Sequence, residues 1–91
     1  MGTATLIVRH QVQDYSAWRA VYDSVEDLRQ QYSCSGAEVM TAPDDKNDVF
    51  IIHRFPSLEA AQAFAGSSGL KEAMGRAGVI GAPRIDIAAE A

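Results

Sequence analysis

The chain has 91 residues, a net charge of −4 and a hydrophobic content of 47%. That is enough apolar material for one core and too little length for two, so a single domain over residues 1–91 is expected, not a disordered segment. The acidic balance argues against nucleic acid and anionic membranes as partners, and no apolar run approaches the roughly 20 residues of a bilayer crossing.

The first residues show no basic segment leading into a long apolar stretch, so a secretory leader is not expected and a cytoplasmic location is. Thr3 to Val12 then reads as a strand. Ala4, Leu6, Val8, His10 and Val12 alternate with Thr3, Thr5, Ile7, Arg9 and Gln11, giving an apolar face and a mixed face. Asp14 is placed to cap a helix. From Tyr15 to Tyr32 the period changes to three and four: Trp18, Val21, Tyr22, Val25, Leu28 and Tyr32 form one helical stripe. Ser33–Gly36 breaks it. The lone Cys34 lies in this break and is expected to be an inert thiol.

Ala37–Ala42 is expected to be a second strand, and Pro43 to Asp48 a turn cluster. Val49–Phe55 is almost continuously apolar, which suits a central strand. Ser57 can cap a second helix with Leu58, Ala61, Phe64 and Ala65 on its buried side. Gly66-Ser67-Ser68-Gly69 interrupts it. Leu70, Ala73, Met74 and Ala77 form another short helix, ended by Gly78. Gly81-Ala82-Pro83 reads as a loop, and Arg84–Ala88 as a fourth strand.

The order is strand, helix, strand, strand, helix, strand. Right-handed crossovers make this the α+β, ferredoxin-like βαββαβ plan: a four-stranded antiparallel sheet with the helices on one face. Ile7, Phe50 and Ile52 then occupy the other face. They are too apolar to stay wet, and a second copy of the chain, sheet to sheet, is the expected cover. Arg9 and Arg54 lie on that face, with Glu38 or Asp86 as expected partners.

Two stretches carry a family resemblance. Val8-Arg9-His10-Gln11-Val12-Gln13-Asp14-Tyr15-Ser16-Ala17-Trp18-Arg19 is one. Phe55 to Ala61, with Leu70–Met74 and Arg76–Val79, is the other. Together they resemble small bacterial dimeric α/β-barrel proteins related to the antibiotic-biosynthesis monooxygenases and often labelled cyclases. The resemblance implies a homodimer with one ligand cleft per subunit, between sheet and helices. It covers cofactor-free oxygenases of phenolic polyketides, cyclases, isomerases and haem-degrading enzymes. Positions 66–77 hold no histidine, so the axial ligand of the haem-degrading branch has no counterpart here. The Trp, Tyr and Asn set of the best-known quinone-forming members cannot be placed residue by residue.

His10, on the apolar face of the first strand, is the candidate general base, because imidazole titrates near neutral pH. The structural alternative is a buried neutral histidine bonded to a carbonyl or to Tyr22. Trp18, Tyr22, His53 and Phe64 are candidate substrate-binding residues. His53 and His10 fall at opposite ends of antiparallel strands, about four residues and roughly 14 Å apart, too far to share a metal. No spacing of His, Cys, Asp or Glu suits zinc, so no metal is expected. No Gly-x-Gly-x-x-Gly element is present, and no cofactor is expected.

The reading that follows is a cofactor-free enzyme acting on a small hydrophobic or polyketide-like metabolite. It would abstract a proton and so promote cyclisation or isomerisation. The alternatives are a cofactor-free monooxygenase of the antibiotic-biosynthesis type and a non-catalytic ligand-binding or structural dimer.

Overall fold

A computed structural model describes residues 3–91. Four strands, β1 (Ala4–Val12), β2 (Gly36–Ala42), β3 (Asp45–Phe55) and β4 (Val79–Ala89), form one sheet in the order β2-β3-β1-β4, all neighbours antiparallel. Helices α1 (Tyr15–Ser24) and α2 (Glu26–Gln31) connect β1 to β2, and α3 (Leu58–Ala65) and α4 (Ser68–Arg76) connect β3 to β4. This is the ferredoxin-like plan.

The alternation in β1 decides which face is which. Ala4, Leu6, Val8, His10 and Val12 are buried, while Arg9 and Gln11 are exposed. Leu6 pairs with His53 and Ile87, and Val8 with Ile51 and Ile85, so these residues share the helix-covered face. Leu6, Val49, Phe55 and Ala61 are its most completely buried members, with Ala4, Val12 and Phe64 almost as deep.

Side-chain oxygens start three of the helices, at Asp14 and Ser57 as the sequence predicts and also at Ser67. Asp14 accepts from the Ala17 N–H at 2.9 Å, Ser57 from Ala60 at 3.1 Å and Ser67 from Leu70 at 3.2 Å. Only Gly66 and Ser67 separate α3 from α4, so Ser68 and Gly69 belong to α4 and not to the break.

The first helix is not continuous from Tyr15 to Tyr32. It stops at Val25, whose φ of −107° and ψ of 26° are not helical. Hydrogen bonds at the end of α1 account for this. Ser24 turns its hydroxyl back on the Val21 carbonyl (2.6 Å), and the Tyr22 carbonyl accepts from the Val25 N–H (3.3 Å) and from Nη1 of Arg29 (2.9 Å). The carbonyl that would have continued the helix is occupied.

β4 is longer than Arg84–Ala88 and takes in Gly81-Ala82-Pro83. Gln11 pairs with Ile80 and Arg9 with Arg84, so four steps along β4 match two along β1. The extra residues bulge out opposite His10, where Gly81 has φ +71° and Pro83 has no N–H to give. β3 starts at Asp45, within the expected turn cluster, and its first residues are out of step with β2.

On the open face Ile7, Phe50 and Ile52 are half-buried, and Met40 and Ile80 are about half exposed (49% and 51%). Arg54 pairs with Glu38 at 2.6 Å, as expected. Arg9 does not use Glu38 or Asp86. It grips both oxygens of Asp48 (3.1 and 2.8 Å) with its guanidinium 4.7 Å above the Phe50 ring. Asp86 pairs instead with Arg84 at 2.9 Å. Among the described residues, no helix is long and apolar enough to cross a membrane.

Candidate functional site

The helix-covered face of the sheet does not pack solidly. Between it and the helices lies a cavity walled by Val8 and His10 of β1 and Ile51 and His53 of β3. α1 contributes Trp18, Val21 and Tyr22, and Val25, Leu28 and Arg29 follow from the helix break and α2. Phe64 of α3 and Leu70, Ala73 and Met74 of α4 complete it. All five candidate site residues, His10, Trp18, Tyr22, His53 and Phe64, therefore line one space.

Four aromatic rings run through it in sequence. His10 meets Trp18 edge-on with centroids 5.8 Å apart, Trp18 stacks on Tyr22 at 5.0 Å, and Tyr22 stacks on His53 at 5.9 Å. Phe64 closes the far end with its ring 5.4 Å from that of His53. The strand register puts His53 opposite Leu6 and His10 opposite Val49, the four-residue offset expected. The histidines are thus at opposite ends of the same cavity, with Trp18 and Tyr22 between them. Among the described residues no three of His, Cys, Asp and Glu come together as a metal would need.

Their hydrogen bonding differs from expectation. Tyr22 bonds His53, with the hydroxyl 2.8 Å from Nε2, and not His10. Among the described residues neither ring nitrogen of His10 has a partner, nor has Nδ1 of His53. The reason is register: Tyr22 is one turn beyond Trp18 on α1, and that turn reaches β3, not β1. An unsatisfied buried nitrogen costs about 1–3 kcal/mol.

Burial alone pushes the His10 pKa below its ordinary value. Burial, assisted by the positive charge of Arg29, lowers that of His53 to about 4. Burial raises the Tyr22 phenol. At neutral pH both imidazoles are uncharged and able to accept a proton, and Tyr22 keeps its own.

Arg29 is the residue that sequence reading missed. It is buried, and its guanidinium lies 4.0 Å from the centre of the Tyr22 ring. A signal existed. Trp18, Tyr22, Val25, Arg29 and Tyr32 are spaced by four, three, four and three, so Arg29 stands on the apolar stripe itself.

The cavity is small. Its volume is about 50 Å³, whereas a dry cavity of about 150 Å³ holds benzene. At its edge Leu28 of α2 lies against Gly69 of α4, where a Cβ would stand 2.9 Å from Cδ1 of Leu28 and would push that side chain aside.

No family model matches the sequence, and no curated protein matches it either. Solved structures do match in shape. One, provisionally named an antibiotic biosynthesis monooxygenase, from Bordetella bronchiseptica, superposes with a TM-score of 0.83 at 12% identity, over 100% of this chain and 99% of that one. This is the antibiotic biosynthesis monooxygenase fold. SnoaB from Streptomyces nogalater, a cofactor-independent oxygenase, shares it at a TM-score of 0.75 and 10% identity, over 100% of this chain and 93% of its own. Rv0793 from Mycobacterium tuberculosis does so at 0.74 and 18% identity, over 98% and 95%. The shared fold covers nearly the whole chain in each case.

Proposed function

We propose that the chain is a cofactor-independent oxygenase of a small phenolic or enolisable hydrophobic molecule, with His10 as the base. The carrying observation is His10 itself: a buried, neutral imidazole with both nitrogens unpartnered, facing a cavity otherwise lined by aromatic and aliphatic groups. It would take the proton of a phenol, and the ring anion would be held against Trp18 and Tyr22. The anion then reacts with dioxygen. One oxygen atom enters the ring and the other leaves as water, so that a phenol and O₂ give a quinone and water. The likeness to an oxygenase that works without a cofactor supports this choice of second step. Room for such a substrate needs the helices to move away from the sheet, because the cavity as it stands is too small.

The second histidine favours a second reading. With His10 at one end and the Tyr22–His53 pair at the other, a proton taken by one could be returned by the other, giving isomerisation or ring closure with no oxygen consumed. Incubating 1-naphthol and related phenols under oxygen and under argon decides between them. Oxygen uptake matched to quinone formation, lost in His10→Ala, supports the oxygenase. Equal turnover under argon supports the isomerase. Substrate binding without turnover under either gas makes the protein a ligand-binding dimer.

The proposal includes a homodimer joined through the open sheet face. Ile7, Phe50 and Ile52 form its apolar centre, and the Arg9–Asp48 and Arg54–Glu38 pairs lie beside them. Twofold pairing would cover this face while leaving the cavity, on the other side of the sheet, open to ligand.

A further inference from the structure

The arginines divide sharply. Arg9, Arg19, Arg54, Arg76 and Arg84 are exposed or half-exposed, and each has a carboxylate partner: Asp48, Asp23, Glu38, Glu72 and Asp86. Arg29 is the buried one, 8% exposed, and among the described residues it has none. This inverts the usual economy, in which a buried charge is paired and surface charges are left to water.

Its immediate surroundings do not neutralise it. Nη1 donates to the Tyr22 carbonyl at 2.9 Å, and the Tyr22 ring presents its face to the guanidinium. These are a dipole and a quadrupole, not a counter-charge. Arg19 lies on the same ring at 5.4 Å, but its charge is met by Asp23 at 3.0 Å. Nε and Nη2 of Arg29 make no hydrogen bond to another described residue, and together they form the edge of the fork that a carboxylate grips with both oxygens. Arg29 also lines the cavity, beside His53 and Tyr22. Both histidines are neutral at physiological pH, so among the described residues this guanidinium is the one fixed positive charge on its wall.

We infer that the ligand of this cavity is a flat apolar molecule bearing one carboxylate, which Arg29 binds at the Tyr22–His53 end. The inference deepens the proposed function by naming the substrate class, and it rests on that reading only in taking the cavity as the ligand site. A molecule held by its carboxylate at Arg29 lies along Tyr22 and Trp18, with its far ring directed to His10. Arg29 would then be a specificity residue and not a base.

The test is calorimetric titration of the intact protein with 2-naphthoate and with 2-naphthamide, which differ in charge and hardly in shape. The carboxylate should bind at least tenfold more tightly. Arg29→Met should erase that preference while leaving the amide where it was, and Arg29→Lys should restore part of it. Equal affinity, tighter binding of the amide, or no binding of either overturns the inference on wild-type protein alone, whether or not Arg29→Met folds. The outcome is separable from that of the oxygenase proposal. Tight naphthoate binding by a protein that oxidises no phenol keeps this inference and removes the other, and phenol oxidation without carboxylate preference does the reverse.

Discussion

The Tyr22 hydroxyl lies 2.8 Å from Nε2 of His53, and this contact joins α1 to β3 across the floor of the cavity. Burial keeps the proton on the phenol, so the natural direction is from hydroxyl to Nε2. His53 then carries its own proton on Nδ1, which has no acceptor among the described residues. A neutral imidazole is thus built into the fold, and protonating it must disrupt something.

That gives a pH dependence with a definite sign. The folded-state pKa of His53 is about 4, below the unfolded value of 6.5. Above pH 6.5 both states hold a neutral ring and stability is full. As the pH falls the unfolded chain takes up the proton first, so stability drops until the folded form also protonates near 4. The loss should approach roughly 3 kcal/mol, since each tenfold difference in proton affinity between the two states is worth about 1.4 kcal/mol. His53→Gln, which keeps an acceptor for Tyr22, should remove the His53 share of the decline when urea midpoints are measured across the range, leaving the share of His10, whose pKa burial also lowers. The Asp48 carboxyl, held below its usual range by Arg9, is lost only at lower pH and should leave that window untouched.

His10→Met should separate stability from activity. The substitution replaces two unsatisfied nitrogens with a flexible apolar side chain, so the urea midpoint should stay level or rise. Turnover of a phenol should fall by about 10²–10⁴-fold, the usual contribution of a general base. A variant that is both less stable and fully active would show that the imidazole is structural.

Phe64→Ala should be among the costliest single changes. Phe64 is almost fully buried and its ring meets those of Tyr32, His53 and Phe55 at 5.8, 5.4 and 5.4 Å. Truncation should cost about 3–5 kcal/mol in urea unfolding. A loss below about 1 kcal/mol would mean that the end of the cavity collapses readily.

Ile52→Glu tests the twofold pairing. It places a charge at the centre of the open face, on the side of the sheet away from the cavity, and should convert a dimer to a folded monomer in sedimentation velocity with its circular dichroism unchanged. Wild-type protein that sediments as a monomer at high concentration would remove the dimer outright.

Much of this was legible in the chain. Period-two alternation placed His10 on the inner face of β1, and the stripe through Trp18 and Tyr22 placed those rings on the side of the helix that faces the sheet, Trp18 against His10 and Tyr22 against His53. The cap residues Asp14 and Ser57 marked two helix starts. What stayed hidden depended on contacts between parts that sequence treats as separate. Arg29 was overlooked because a charge on an apolar stripe reads as an interruption until something is seen to need it. The stop at Val25 arises from a carbonyl claimed by a side chain seven residues on, which no propensity records. Gly81-Ala82-Pro83 has the composition of a loop, and only its neighbour strand shows that it is a detour within β4.

That detour has an evolutionary meaning. The surplus on β4 is two residues, an even number, so Val79 on one side of it and Ile85 on the other still point to the same side of the sheet. Residues can be gained or lost there in pairs without turning the strand inside out. A pair added or removed opposite His10 would leave both ends of β4 facing as they do now.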